Sequence, residues 1–90
     1  NLGKAENAIQ GLNIQLFPNP VQHCLNLKAG QEYSGKFSYQ IHDIMGVQKI
    51  NGKINLSGLQ KIDVSMLAPG IYLIKIFNNE FSRGFRFVKN

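Results

Sequence analysis

Residues 66–76 read MLAPGIYLIKI, and this stretch decides the fold class. From residue 72 onward apolar residues recur at every second position, so that Tyr72, Ile74 and Ile76 share one face. This period of two residues predicts a β-strand with one buried face. Just before it, Pro69 fixes its own φ and Gly70 can adopt a positive φ without strain. We therefore expect the strand to begin directly after a tight corner.

The position of Tyr72 makes this corner more specific. A tyrosine at the start of a core strand is typical of immunoglobulin-like sandwiches, in which its hydroxyl hydrogen-bonds back to the upstream backbone. A buried phenol needs a hydrogen-bond partner, and the carbonyl groups of the corner need donors. We predict that Tyr72 is buried and that its hydroxyl bonds near the Ser65–Pro69 corner.

The rest of the chain consists of short alternating segments between turn residues, and no stretch has the period of a long helix. Asn51-Gly52 is a dipeptide that favours hairpin turns, and we expect a turn there. The predicted fold is all-β: a single immunoglobulin-like antiparallel β-sandwich of about seven strands over residues 12–90. Residues 1–11 are polar and small, and we expect them to be a linker.

Residues 16–20 read LFPNP and follow the alternating Leu12, Ile14 and Leu16. Prolines fix φ and lack the N–H that a central strand needs, and Asn19 is restricted by the proline after it. We expect Pro18-Asn19-Pro20 to form a rigid corner between the first two strands. Whether a partner also recognises this corner stays open.

Composition and charge limit the function classes. Hydrophobic residues make up 43% of the 90 residues, which is enough for one small core. No apolar run is long enough for a membrane span, and we expect none. The net charge is +5, but the ten lysines and arginines are dispersed singly, as is common on strand edges. We therefore expect no nucleic-acid partner.

The candidates for chemistry are weak. His23 and Cys24 resemble a base and a nucleophile, but adjacent residues on a strand point to opposite faces. In His42-Asp43 the carboxylate is better placed to cap the following turn. The histidines, the cysteine and the aspartates lack metal-ligand spacing. We expect no catalytic site, no metal and no cofactor, and thus a protein that is not an enzyme.

Taken in order, LFPNP, CLNL, YQIHDIMG, IDVSMLAPGIYLIKI and FRFVKN resemble the type A C-terminal sorting domain of the type IX secretion system. The resemblance covers residues 16–90, and only Val47 departs from the pattern, at a place where the family often has a basic or polar residue. The residues that match its motifs are Pro18, Asn19, Pro20, Asp43, Gly46, Leu67, Gly70, Tyr72 and Lys89, and Pro69 lies within the third motif.

The resemblance implies a sorting signal that directs a larger cargo protein across the outer membrane of a Gram-negative bacterium. The implied partners are the outer-membrane translocon, a sortase-like peptidase that usually removes the domain, and a cargo domain upstream of residues 1–11. The implied route passes through the periplasm to the cell surface or the extracellular space.

The last strand is the candidate recognition element. Phe85, Phe87 and Val88 would lie on it, and its edge could pair with a partner strand. The alternative is that Phe85 and Phe87 are only core residues and Lys89 is only solvated.

Two other function classes remain at this stage. A structural spacer similar to fibronectin type III would share the fold and the tyrosine corner. An accessory carbohydrate-binding module would need a row of exposed aromatic residues, for which Tyr33, Phe77 and Phe81 are the candidates.

Overall fold

The computed structural model describes residues 14–30 and 35–90. These residues form seven strands in two antiparallel sheets and contain no helix. No helix in this part of the chain is therefore long and apolar enough to cross a membrane. The strands are β1 (Ile14–Phe17), β2 (Cys24–Ala29), β3 (Lys36–Asp43), β4 (Gln48–Asn55), β5 (Leu59–Asp63), β6 (Gly70–Phe77) and β7 (Ser82–Lys89).

The two sheets pack as a sandwich, as the alternation predicted. One sheet has the strand order β1-β2-β5 and the other has the order β4-β3-β6-β7. Strand β6 is central in the four-stranded sheet, and β4 and β7 are its edges. The all-β, immunoglobulin-like prediction is confirmed.

The inward faces of both sheets form one core. Leu25 and Leu27 of β2 and Ile74 and Ile76 of β6 have no exposed surface, so the predicted alternation is confirmed in both sheets. Complete burial of a side chain of this size contributes about 1.5–3 kcal/mol relative to exposure. Phe87 of β7 is also fully buried, whereas Phe85 is only partly buried.

The prediction of a turn at Asn51-Gly52 is wrong, because both residues lie inside β4. Gly52 pairs with Tyr39 of β3, and a Cβ on Gly52 would lie 2.8 Å from the Tyr39 hydroxyl oxygen. The glycine therefore leaves room for a ring from the neighbouring strand. The turn between β3 and β4 lies at Asp43–Val47 instead.

The expectations for the first residues are not addressed by this structure. The predicted linker, residues 1–11, and the start of the first strand at Leu12 lie outside the described residues. Strand β1 is described from Ile14 onward, and Ile14 is buried.

Candidate functional site

The pairing of the strands gathers the motif residues at one end of the sandwich. Asp43 pairs with Tyr72, Gly70 pairs with Lys89, and Val21 forms an isolated parallel bridge with Lys89. We call this region the motif end and define it as residues 17–23, 43–47, 64–72 and 87–90. It contains every motif residue expected from the sequence: Pro18, Asn19, Pro20, Asp43, Gly46, Leu67, Pro69, Gly70, Tyr72 and Lys89.

The Pro18-Asn19-Pro20 corner joins β1 to β2, as predicted, and it also contacts the opposite sheet. Both prolines follow cis peptide bonds. Asn19 Oδ1 accepts a hydrogen bond of 2.9 Å from the backbone N–H of Val88, which lies on β7. The asparagine of the motif thus satisfies an outward-facing backbone donor of the edge strand.

Val21 continues this contact. Its N–H donates to the carbonyl of Val88 at 2.8 Å, and its carbonyl accepts from the N–H of Asn90 at 2.9 Å. Its side chain is fully buried. Neither the role of Val21 nor the Asn19 bond was predictable from the sequence, because a single apolar residue after a proline corner has no period and a contact across 69 positions has no local signal.

The tyrosine corner is confirmed. The Tyr72 hydroxyl donates a 2.7 Å hydrogen bond to the carbonyl of Ala68, within the expected corner, and the residue is only 5% exposed. Its ring stacks on Phe87 of β7 with the ring centroids 5.7 Å apart. The corner is therefore held to the last strand by ring packing as well as by strand pairing.

Lys89 is buried, so the alternative in which it is only solvated is wrong. Its Nζ donates to the carbonyl of Leu67 at 2.9 Å and to the carbonyl of Asn90 at 3.3 Å. Leu67 itself is buried in the core. Lys89 and Tyr72 thus donate to two consecutive carbonyls of the β5–β6 loop, Leu67 and Ala68, which replaces the water that these groups would otherwise need.

Asp43 caps the β3–β4 turn, as predicted. Its Oδ1 accepts hydrogen bonds from the N–H groups of Met45 at 2.9 Å and Val47 at 3.0 Å. These backbone bonds, that of Val47 first, together with nearby Lys49 and His42, lower the pKa of the Asp43 carboxyl, although desolvation opposes them. Gly46 has a φ of 85° and its N–H donates to the Asp43 carbonyl, so the motif glycine supplies a backbone conformation that other residues rarely adopt.

The candidate recognition strand is β7, and its two edges differ. Phe87 faces the core, Phe85 is partly buried, and Val88 is 36% exposed. Antiparallel pairing alternates inward and outward backbone groups, and those of Val88 point away from β6. The same outward direction follows for Arg86 and Gly84, which have no backbone partner on that side among the described residues.

His23 and Cys24 are not adjacent on a strand, because β2 begins at Cys24 and His23 lies in the bend before it. The expectation that His23 lies on a strand next to Cys24 is therefore wrong. Both side chains are exposed, and no hydrogen bond between them is found in residues 14–30 and 35–90. No three His, Cys, Asp or Glu side chains in these ranges are grouped so that they could hold a metal ion.

The fold and the motif end define a class of protein. It is an immunoglobulin-like sandwich domain in which the motif residues lie together at one end of the sandwich. A family model described as the secretion system C-terminal sorting domain matches residues 15–90. The chain belongs to this family, the C-terminal sorting domains of the type IX secretion system. A search of the curated proteins finds no match. Membership implies a secreted protein, exported toward the cell surface or the extracellular space.

Family membership separates this chain from the two other classes. The tyrosine corner alone does not, because fibronectin type III domains have the same architecture. Phe81 packs edge-on against Phe37 of the core, with centroids 5.7 Å apart, and Phe77 lies under the Lys75 ammonium. These two rings are therefore engaged within the chain, and Tyr33 lies outside the described residues.

Proposed function

We propose that this domain is the address that brings a larger cargo protein across the outer membrane through the type IX translocon. The observation that carries the proposal is the match to the sorting-domain family over residues 15–90. The motif end supports it, because the residues that define the family resemblance form one continuous structure. In this proposal the cargo lies upstream in the same chain and passes through the periplasm of a Gram-negative cell.

The proposal includes removal of the domain after export by a sortase-like peptidase. The cut would fall in or near residues 1–11, whose composition is polar and small. A peptidase needs an extended backbone, which unpaired segments provide and paired strands do not. The cargo would then remain at the cell surface or be released.

We further propose that the domain has no catalytic activity and uses no cofactor. The reactive groups support this view: the Cys24 thiol and the His23 imidazole lie exposed next to the proline corner, and within residues 14–30 and 35–90 no hydrogen bond joins them as a nucleophile and a base. The domain acts as a ligand and as a substrate of other proteins.

Export of a reporter tests the proposal. A periplasmic reporter followed by residues 12–90 should appear outside cells that have a type IX secretion system, and the same reporter without the domain should remain in the periplasm. A reporter followed by residues 1–90 should also be trimmed, and mass spectrometry of the exported reporter should place the cut in or near residues 1–11. Retention of the fused reporter in the periplasm would overturn the proposal.

The contribution of the β7 edge needs a different variant from a terminal truncation. Deleting residues 87–90 would remove fully buried Phe87 and buried Lys89, so the domain would lose its fold as well as its edge. Gly84→Pro removes an outward-facing N–H and leaves the ladder to β6 intact. Gly84→Ala is the matched control, because its Cβ would meet nothing closer than 4.0 Å.

If a partner strand pairs with β7, Gly84→Pro should reduce export while Gly84→Ala does not, at unchanged thermal stability of both. Equal export of the two variants would show that the open part of this edge is not used.

A further inference from the structure

The outer face of the four-stranded sheet is basic, and none of the described residues on it has a carboxylate side chain. Its positions alternate with the buried ones, and within the described residues its charged side chains are all cationic. They are Lys36, Lys53, Lys75 and Arg86. The outer face of the three-stranded sheet differs, because it carries the carboxylate of Asp63, which follows Lys61 on the same side of β5. Among the described residues, this face thus carries four cationic side chains and no carboxylate.

An apolar cluster lies on this basic face where it reaches the motif end. Ile71 of β6 pairs with Val88 of β7, and Leu73 pairs with Arg86 in the next outward-facing row. The exposed fractions of Ile71 and Leu73 are 44% and 48%. We call Ile71, Leu73 and Val88 the apolar corner. Three contiguous, partly exposed aliphatic side chains beside cationic groups combine an apolar centre with a charged rim, which is the arrangement found in protein interfaces.

The apolar corner is continuous with the motif residues. Val88 is held by Asn19 and Val21 on one side, and Ile71 lies directly between Gly70 and Tyr72. Among the motif residues, Leu67, Tyr72 and Lys89 are buried, and Asn19 and Asp43 are engaged in hydrogen bonds, whereas the three prolines are exposed. The buried and bonded motif residues hold the apolar corner in place.

We propose that the apolar corner and its cationic rim, formed by Arg86 and Lys75, are the surface that docks on a protein of the secretion machinery. The complementary surface has an apolar centre and a rim of carboxylates. This inference rests on the proposed sorting function and identifies the part of the domain that the machinery contacts. A second copy of the chain fits less well, because a two-fold contact would place the same cations against each other without a carboxylate.

Matched substitutions on the two sheets test the surface. Leu73→Ser removes an anchor from the corner, and Leu59→Ser is its control, because Leu59 is 50% exposed on the outer face of the other sheet. Arg86→Glu reverses the charge of the rim, and Lys61→Glu is the equivalent change on the other sheet. The readout is export of a reporter fused to each variant, together with the thermal melt of the isolated domain.

Leu73→Ser should lower export below that of Leu59→Ser, and adding Ile71→Ser to it should bring the loss to about tenfold or more, as for two truncated interface anchors. Arg86→Glu should lower export as well. Leu59→Ser and Lys61→Glu should export as the unaltered domain does, and all variants should melt within a few degrees of it. Equal export of the Leu73→Ser and Leu59→Ser fusions would overturn the docking surface but leave the sorting function standing. Retention of the unaltered fusion would instead refute the sorting function.

A photo-crosslinking amino acid placed at position 73, with position 59 as the control, identifies the occupant in exporting cells. Cross-linking at position 73 alone to an outer-membrane protein, together with the export loss, supports the proposal. Cross-linking only to a second copy of the domain or only to lipid overturns it.

Discussion

Individual side chains stabilise the motif end, and most of them do so by hydrogen bonds to backbone groups. Asn19 bonds to a backbone N–H, and Lys89 and Tyr72 bond to the carbonyls of Leu67 and Ala68. The role of Tyr72 was predictable, because a corner followed by a core strand places a phenol beside carbonyl groups that need donors. The role of Lys89 was not, because a lysine at the end of an alternating strand is usually solvated.

Tyr72→Phe should lower the free energy of unfolding by about 1 kcal/mol or more, because the Ala68 carbonyl loses its donor in a partly buried place. Tyr39→Phe is the control, because no hydrogen bond of the Tyr39 hydroxyl is found among the described residues. Urea denaturation of the two variants measures the difference. Equal stabilities would contradict the importance of the corner bond.

Asp43 should make stability depend on pH in a defined direction. Because its hydrogen bonds lower its folded-state pKa, its contribution is present above the ordinary aspartate pKa, about 4, and is lost as the pH falls through the folded-state value. Asp43→Asn keeps an acceptor oxygen but cannot ionise. Its melting temperature should therefore fall less than that of the unaltered domain between about pH 7 and about pH 3.

Asp63→Asn provides the comparison for this experiment. Hydrogen bonds from the side chain and the backbone of Ser65 also lower the Asp63 pKa, so this variant should remove a separate part of the acid sensitivity. If Asp43→Asn lost stability as steeply as the unaltered domain, the turn carboxylate would not be stabilised as described.

At the scale of strands and turns, alternation was a reliable guide and turn dipeptides were not. The faces of β2, β3 and β6 follow directly from the positions of their apolar residues. Asn51-Gly52 was misassigned because the requirement for a glycine came from another strand: the Tyr39 ring occupies the space that a side chain at position 52 would need. Such a cross-strand requirement has no local signal.

Gly52→Ala tests this explanation. The added methyl group would lie 2.8 Å from the Tyr39 hydroxyl oxygen and 3.0 Å from two carbons of its ring, so the ring must move. We expect destabilisation on the order of 1 kcal/mol relative to Gly84→Ala, whose added methyl group would come no closer than 4.0 Å to its nearest neighbour, the Ile74 carbonyl oxygen. Thermal melts of both variants measure this difference in stability. A Gly52→Ala domain as stable as the Gly84→Ala domain would refute the role assigned to the Tyr39 ring.

At the scale of the whole molecule, the sandwich has two unlike ends and two unlike faces. The motif end is closed by bonds between the proline corner, the β5–β6 loop and the end of β7. The sandwich class and the family resemblance could be predicted, because both depend on patterns along the chain. The convergence of the motifs and the basic face with its apolar corner could not, because they depend on which strands become neighbours.

The central claim is that this domain is a sorting signal, and one measurement tests it most directly. A periplasmic reporter carrying residues 12–90 is produced in two otherwise identical strains, one with an intact type IX secretion system and one that lacks its outer-membrane translocon. The fraction of reporter outside intact cells is then compared. We predict export from the first strain and periplasmic retention in the second. Equal export from both strains, or retention in both, would contradict it.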